Sequence, residues 1–249
     1  MPRQKRVRSE SGIYHIMLRG INQQKLFEDN EDYEKFLQLV EEAKTLSGFK
    51  LYAYCLMGNH IHLLLKEEVD TVDVIMKRIA SRFVYWYNVK YQRSGHLFQD
   101  RFKSEPVDET VYFKTVLRYI HLNPVKAKIC RLPSEYQFSS YNTFLDNSTL
   151  IDKDFVFDLI PLDHFEEYHL EYNIDVCLDI DDNYAVRVTD EDAQKIIYKI
   201  SKCASVAEFQ SLDTKRRDKY LKRFRNEGLT IRQISRLTGI SCGIVRKFN

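Results

Sequence analysis

Along the first 145 residues, short apolar runs alternate with longer stretches whose apolar positions recur at helical spacing. Tyr14-His15-Ile16-Met17-Leu18-Arg19 reads as a strand. Asp29 to Leu46 places Tyr33, Phe36, Leu37, Leu39, Val40 and Ala43 on one helical face, and Gly48 stops it. Phe49 to Leu56 and His60 to Lys66 are strand-like runs joined by Met57-Gly58-Asn59, which predicts a hairpin. Val72 to Tyr91 predicts a long aromatic-rich helix, and His96 to Phe102 a fourth strand. Asp108 opens a last helix through Tyr112, Val116 and Tyr119, expected to end near Pro124. The order β-α-β-β-α-β-α is that of an α+β, ferredoxin-like antiparallel sheet with one added helix.

Charge divides the chain further. Residues 151 to 192 carry fourteen Asp or Glu against Lys153 and Arg187, whereas residues 215 to 249 hold eleven Lys or Arg against Asp218 and Glu227. This sorting predicts a first domain over 1–145, an acidic connector over 146–194 with some structure of its own, and a basic helical module over 195–249. The connector reads as a solvated linker, or alternatively as a segment that folds over basic surfaces and competes with a polyanion. In the module, Ile231, Ile234 and Leu237 mark a short helix, Gly239 a turn, and Ser241 the cap of a second helix. That is a helix-turn-helix pattern, all-α, whose second helix would enter the major groove of double-stranded DNA. Its contacts would come from Arg232, Ser241, Arg246 and Lys247, with Cys242 and Gly243 beside them. The competing reading is a helical hairpin that packs on the core or on another copy.

Composition narrows the class without naming a function. With 44% apolar and 30% charged residues, the chain has the material for a sizeable core and is not of disordered type. Its five cysteines are scattered and never form C-x-x-C, which argues against a disulfide framework or thiolate zinc site. No run approaches the ~18 apolar residues of a membrane span, and the N-terminus lacks a signal-peptide core, so a cytoplasmic location is expected.

The chemistry concentrates in two places. His60 and His62 alternate along a strand and therefore share a face, making two legs of a metal site or a pair of hydrogen-bonded structural histidines. Tyr119 and Asn123 stand four residues apart on a helix and project from one face, with His121 pointing elsewhere. On residue grounds alone Tyr119 reads as a core tyrosine of an amphipathic helix before it reads as a nucleophile, and Asn123 reads as a helix-terminating residue before proline as well as a ligand. Tyr112, seven residues before Tyr119, lies on nearly the same face.

The H-I-H strand followed by a Y-I-x-x-N-P helix resembles the HUH single-tyrosine transposases, in particular the REP-associated tyrosine transposases. The resemblance runs from about Arg3 to Tyr141 and includes G-I-Y-H-I-M-L-R-G, A-Y-C-L-M-G-N-H-I-H-L-L-L, G-H-L-F-Q-D-R-F and R-Y-I-H-L-N-P-V-K-A. It implies that His60, His62 and Asn123 hold a divalent metal, and that Tyr119 is the nucleophile, with Tyr112 in reserve. It also implies cleavage of single-stranded DNA beside a hairpin through a 5′-phosphotyrosine, by a monomer or homodimer. Imidazole favours manganese over magnesium, but Mg²⁺ and Mn²⁺ both remain open. Phe138 stands where the family often has tryptophan, an exchange of one packing aromatic for another. Basic contacts to the strand are expected from the arm Arg3, Lys5, Arg6 and Arg8 and from Arg19, Arg101 and Lys103. The aromatic run Phe83, Tyr87 and Tyr91 reads as packing rather than base stacking. A catalytically silent DNA-binding regulator of the same fold is the alternative.

Overall fold

A computed structural model describes residues 6–146, 148–171, 177, 190–203, 205–227 and 229–248. Arg3, Lys5 and much of the expected acidic connector lie outside the described residues. The chain forms two compact units, Met1–Asp179 and Ile180–Asn249.

The first unit is built on a four-stranded antiparallel sheet of order β2-β3-β1-β4, with β1 Ile13–Arg19, β2 Lys50–Met57, β3 His60–Lys66 and β4 Lys103–Pro106. Helices α1 Asn30–Ser47 and α2 Val72–Lys90 make the two crossovers, so the ferredoxin-like topology expected from the sequence is the one observed. Asp29 caps α1 by accepting from the Asp32 backbone N–H, while the Asp32 carboxylate accepts from that of Asp29. Gly48, at φ 63°, ends the helix in the left-handed conformation that glycine adopts without strain. Phe83 and Tyr87 are buried, in keeping with their reading as packing residues, while Tyr85 is exposed.

Every residue of β1 from Ile13 to Leu18 is buried. Helix α2 lies toward the Leu18 face, across a cavity of about 730 Å³ lined also by Met76, Ala80 and Val84. Helix α3, Thr110–Lys126, packs on β2 and β3 from the other side, where His62 and His15 meet Tyr119. A sheet covered on both faces needs apolar residues on both, which removes the period-two alternation of a half-solvated strand.

Two expectations are corrected. The fourth strand is not His96–Phe102: Phe98 makes only an isolated bridge to Gly20, and the ladder is continued by Lys103–Pro106 against Tyr14–Met17. A short edge strand carries polar residues and tolerates proline at its end, so its apolar signal is faint, whereas buried Leu97 gave the preceding loop a strand-like look. Nor is Asn123 a helix-terminating residue: α3 ends near Pro124 as expected, but passes through it to Lys126, with the Ala127 N–H donating to the Asn123 carbonyl at 2.9 Å. Proline removes one rung, but a single lost rung near a helix end does not prevent the next from closing.

Residues 151–170 complete this unit. Ile151, Val156, Ile160 and Phe165 join its core through α4 Asp154–Leu159 and α5 Leu162–Leu170. A buried polar chain fastens α5 to α3 and to β2. His169 Nδ1 donates to the Phe165 carbonyl (2.7 Å), His121 Nδ1 to His169 Nε2 (2.8 Å), Ser140 Oγ to His121 Nε2 (2.8 Å), and the Tyr54 N–H to Ser140 Oγ (2.9 Å). One set of tautomers satisfies every ring nitrogen with both histidines neutral. Residues 138–140 also cover the outer edge of β2, where Leu56 donates to the Phe138 carbonyl and Ser140 to that of Tyr54.

The second unit packs α6 Asp190–Ser201, α7 Val206–Gln210, α8 Thr214–Asn226, α9 Ile231–Thr238 and α10 Cys242–Val245 around Ile197, Phe209, Leu221, Phe224, Ile234 and Val245. Thr230 caps α9, Gly239 turns in the left-handed region at φ 69°, and α10 is one turn continued by a 3-10 turn over Arg246–Phe248. Ser241 occupies the N-cap position without the side-chain hydrogen bond expected of it. No helix among the described residues is long and apolar enough to cross a membrane.

The His121–His169 chain generates a pH prediction. Burial, with the other histidine's charge, holds His121 well below its ordinary value, and burial holds His169 down at about 4. Unfolded histidines titrate near ~6.5, so between that pH and about 4 the unfolded chain binds more protons, and stability present above this window is lost as pH falls through it. His169 alone should account for a loss on the order of 2 kcal/mol between pH 7 and pH 4.5 in urea titrations, with His121 adding to it in the same direction. The double variant His121→Leu, His169→Phe should show a flatter pH slope; an equal slope would rule these two histidines out as its source.

Candidate active site

The β1–β3 ladder sets Met17 opposite His62 and Arg19 opposite His60, and the β1–β4 ladder sets Glu105 opposite His15. Side chains two apart on a strand share a face, so His15, His60, His62 and Glu105 all project toward α3. From α3, Tyr119 and Asn123 point back at them from successive turns.

The side chains converge closely. Asn123 Oδ1 lies 3.1 Å from His60 Nε2, and Asn123 Nδ2 lies 3.4 Å from His62 Nε2. The two imidazoles stand nearly perpendicular with centroids 5.1 Å apart. Tyr119 places its ring 5.7 Å from His62 and 6.0 Å from His15, and Lys126 Nζ lies 4.4 Å from the tyrosine ring. His62 is fully buried, Asn123 is 8% exposed, Tyr119 only 2%, and His60 is half-buried. Burial holds the His62 imidazole well below its ordinary value, and neighbouring His15 and His60 press in the same direction.

The donor set suits a divalent cation. His60 faces an amide oxygen at each ring nitrogen: Asn59 Oδ1 at 2.8 Å from Nδ1 and Asn123 Oδ1 at 3.1 Å from Nε2. A neutral imidazole has a single N–H, so one of these contacts opposes two lone pairs unless a proton or a cation lies between them. With Nδ1–H given to Asn59, His60 Nε2, His62 Nε2 and Asn123 Oδ1 form an N, N, O set of the kind that leaves further positions open. No cluster of three or more His, Cys, Asp or Glu among the described residues offers a competing site.

The remaining expected residues divide into engaged and exposed. Tyr112 donates from its hydroxyl to Glu105 Oε2 at 2.6 Å, and burial together with that carboxylate raises its pKa far above the ordinary phenol range. His121 belongs to the structural chain and not to this cluster. Arg6 is folded against the unit, its guanidinium 3.7 Å from the Phe102 ring centroid and bonded to Asp73. Arg8, Arg101 and Lys103 are exposed, and Arg19 is half-buried at the same end of the sheet as His60. In the second unit Arg232, Ser241, Arg246 and Lys247 are exposed.

The sequence reading assigned no role to His15, whose Nε2 lies 3.0 Å from His62 Nδ1 with the two rings stacked at 5.1 Å, nor to Glu105 beyond it. The tripeptide Tyr14-His15-Ile16 held the signal, a histidine inside an apolar strand, but its partner is fixed only by strand register.

Residues 8–123 match the family model for IS200-like transposases. The fold resembles that of a REP-associated tyrosine transposase solved bound to a REP hairpin, with TM-score 0.51, 18% identity, and coverage of 73% of this chain and 94% of that one. A Deinococcus radiodurans protein assigned as a transposase aligns over 45% of this chain and 92% of its own, at 16% identity and TM-score 0.35. No curated protein matches the chain.

Proposed function

We propose that the protein, whose residues 8–123 match the IS200-like transposase model, cleaves and rejoins single-stranded DNA beside a hairpin, with Tyr119 as nucleophile and a divalent cation held by His60, His62 and Asn123. The observation that carries this reading is the convergence of the Asn123 amide on both Nε2 atoms, one helical turn from a tyrosine ring 5.7 Å from His62. A buried tyrosine has no need of that company for packing alone.

In the proposed reaction the Tyr119 oxygen attacks phosphorus and the bond to the 3′ oxygen breaks. That oxygen leaves as a hydroxyl, and the 5′ phosphate stays esterified to the tyrosine. The phosphotyrosine conserves the broken bond's energy, so a 3′-hydroxyl can rejoin it without a nucleotide cofactor. Bound Mg²⁺ or Mn²⁺ would supply Lewis-acid withdrawal of charge from the phosphate oxygens. A phenol titrating near ~10 is a poor nucleophile, and Lys126, 4.4 Å from the ring, favours the phenolate electrostatically. Tyr112 donates its hydroxyl hydrogen to Glu105, and burial together with that carboxylate holds its proton more firmly than in a free phenol, so it is poorly suited to attack. At 2% exposure, the Tyr119 hydroxyl must be uncovered when DNA binds. That same burial is what favours the second reading, a DNA-binding regulator that keeps the fold without the chemistry.

Exposed Arg8, Arg101 and Lys103, with Arg19 and the arm residues Arg3, Lys5 and Arg6, would hold the strand's phosphates. In the second unit α9 and α10 would contact double-stranded DNA through Arg232, Ser241, Arg246 and Lys247. The active species would be a monomer or homodimer.

Incubated with Mn²⁺ or Mg²⁺ and a hairpin-bearing single strand, the protein should leave a covalent adduct on the 5′ side of the cut, seen as a gel shift that survives denaturant. Tyr119→Phe should abolish it; full adduct from that variant would transfer the role to Tyr112, and no adduct from wild type on any hairpin strand would favour the regulator. The pair His60→Ala and His62→Ala should each lower Mn²⁺ affinity and cleavage together by at least tenfold, and cleavage with unchanged metal dependence would reject the ligand set. For the second unit, Arg246→Ala with Lys247→Ala should weaken duplex binding and lower the log–log salt slope by about 2, one per lost phosphate contact. An unaltered slope would mean that these two side chains touch no phosphate.

A further inference from the structure

Each histidine of the candidate cation site has its second ring nitrogen in contact with another side chain. His60 Nδ1 meets the Asn59 amide oxygen at 2.8 Å, and His62 Nδ1 meets His15 Nε2 at 3.0 Å. The His60 arrangement is self-explanatory, because an amide oxygen only accepts and so keeps the hydrogen on Nδ1. His62 is different, since its neighbour is another imidazole that can either donate or accept. If His15 donated, His62 would carry its hydrogen on Nε2, aimed at Asn123, and would present no lone pair there.

We propose that His15 is a positioning residue: it accepts the Nδ1 hydrogen of His62 and thereby fixes the tautomer whose Nε2 lone pair faces the cation position. The contacts on either side agree with this direction. Asn123 Nδ2, a donor, approaches His62 Nε2 at 3.4 Å. On the far side, His15 Nδ1 faces Glu105 Oε2 at 3.8 Å, an ion-pair rather than a hydrogen-bond distance, so the carboxylate favours a hydrogen on that nitrogen. Glu105 is itself held by the Tyr112 hydroxyl. The order Tyr112, Glu105, His15, His62 therefore runs from α3 through β4 and β1 to β3. Its members face one another because strand register sets Glu105 beside His15 and His15 two residues from the partner of His62. Such outer partners decide which ring nitrogen a metal-binding histidine offers. A free imidazole prefers its hydrogen on Nε2, so His62 needs this lock to do the opposite. The proposal rests on the assignment of His62 as a cation ligand, yet the tautomer can be read without any cation.

Long-range ¹H–¹⁵N spectra of the full-length, metal-free protein labelled at histidine give the tautomer of His62 directly. Wild type should show the hydrogen on Nδ1. In His15→Leu, which offers no acceptor, it should move to Nε2, and Mn²⁺ affinity measured by electron paramagnetic resonance should fall about 10- to 100-fold. His15→Gln, whose side-chain oxygen can accept, should keep the Nδ1–H form and hold affinity within a few-fold of wild type. A wild-type His62 with its hydrogen on Nε2 overturns the proposal, as does His15→Leu with unchanged tautomer and Mn²⁺ affinity. Should His15→Leu fail to fold by circular dichroism, the wild-type spectrum and the glutamine variant decide the matter. An Nδ1–H wild type that takes up no Mn²⁺ would support the tautomer lock and remove the cation reading, so the two ideas fail separately.

Discussion

The pairing of β1 with β3 is the constraint on which the candidate site depends. One register brings His60 and His62 into line with Arg19 and Met17, sets His15 on the same face, and leaves that face open to α3. A slip of β3 by one residue would turn His60 and His62 to the face of the sheet opposite His15. Because both faces are packed, such a slip would also bury polar imidazoles among apolar side chains on the α2 side, and the hydrophobic core therefore enforces the geometry of the polar cluster.

Helix α3 lies between two buried polar chains that use different sides of it. Tyr119 and Asn123 join the cluster around His62, while His121 reaches the other way to Ser140 and His169. The second chain has every ring nitrogen satisfied and ties α3 to β2 and α5; Arg118 adds to the α5 tie, its guanidinium 4.4 Å from the Tyr168 ring centroid and donating to the Tyr168 carbonyl. Buried hydrogen bonds of this sort contribute directional specificity, because a displaced partner leaves a polar group without solvent. They fix the rotation of α3 about its axis, and that rotation decides where Tyr119 points.

Much of this was legible in the residues. The His60–Lys66 strand, the helical face of α1 with its Gly48 stop, and the shared face of Tyr119 and Asn123 follow from local periodicity and helix-ending chemistry. What was not legible depends on partners distant in sequence. His15 acquires its meaning only from a strand forty-seven residues later, and Glu105 from an edge strand too short and polar to announce itself. The loop at residues 96–102 mimicked that strand because it contributes buried Leu97. Acidic residues 151–170 looked like linker on charge, yet their Ile151, Val156, Ile160 and Phe165 serve the first core. Charge reports what faces water, and says little about the opposite side of the same helix.

Pro124 inside α3 has one more consequence. With no N–H, it cannot tie back to the carbonyl of Ile120, so the backbone just beyond Tyr119 lacks a tether that every other interior turn of the helix possesses. Hinging the helix at that point sacrifices one fewer bond than anywhere else along its interior. A phenol that begins sealed away from solvent thus sits beside the segment's most pliable joint, with its amide neighbour Asn123 across the same gap.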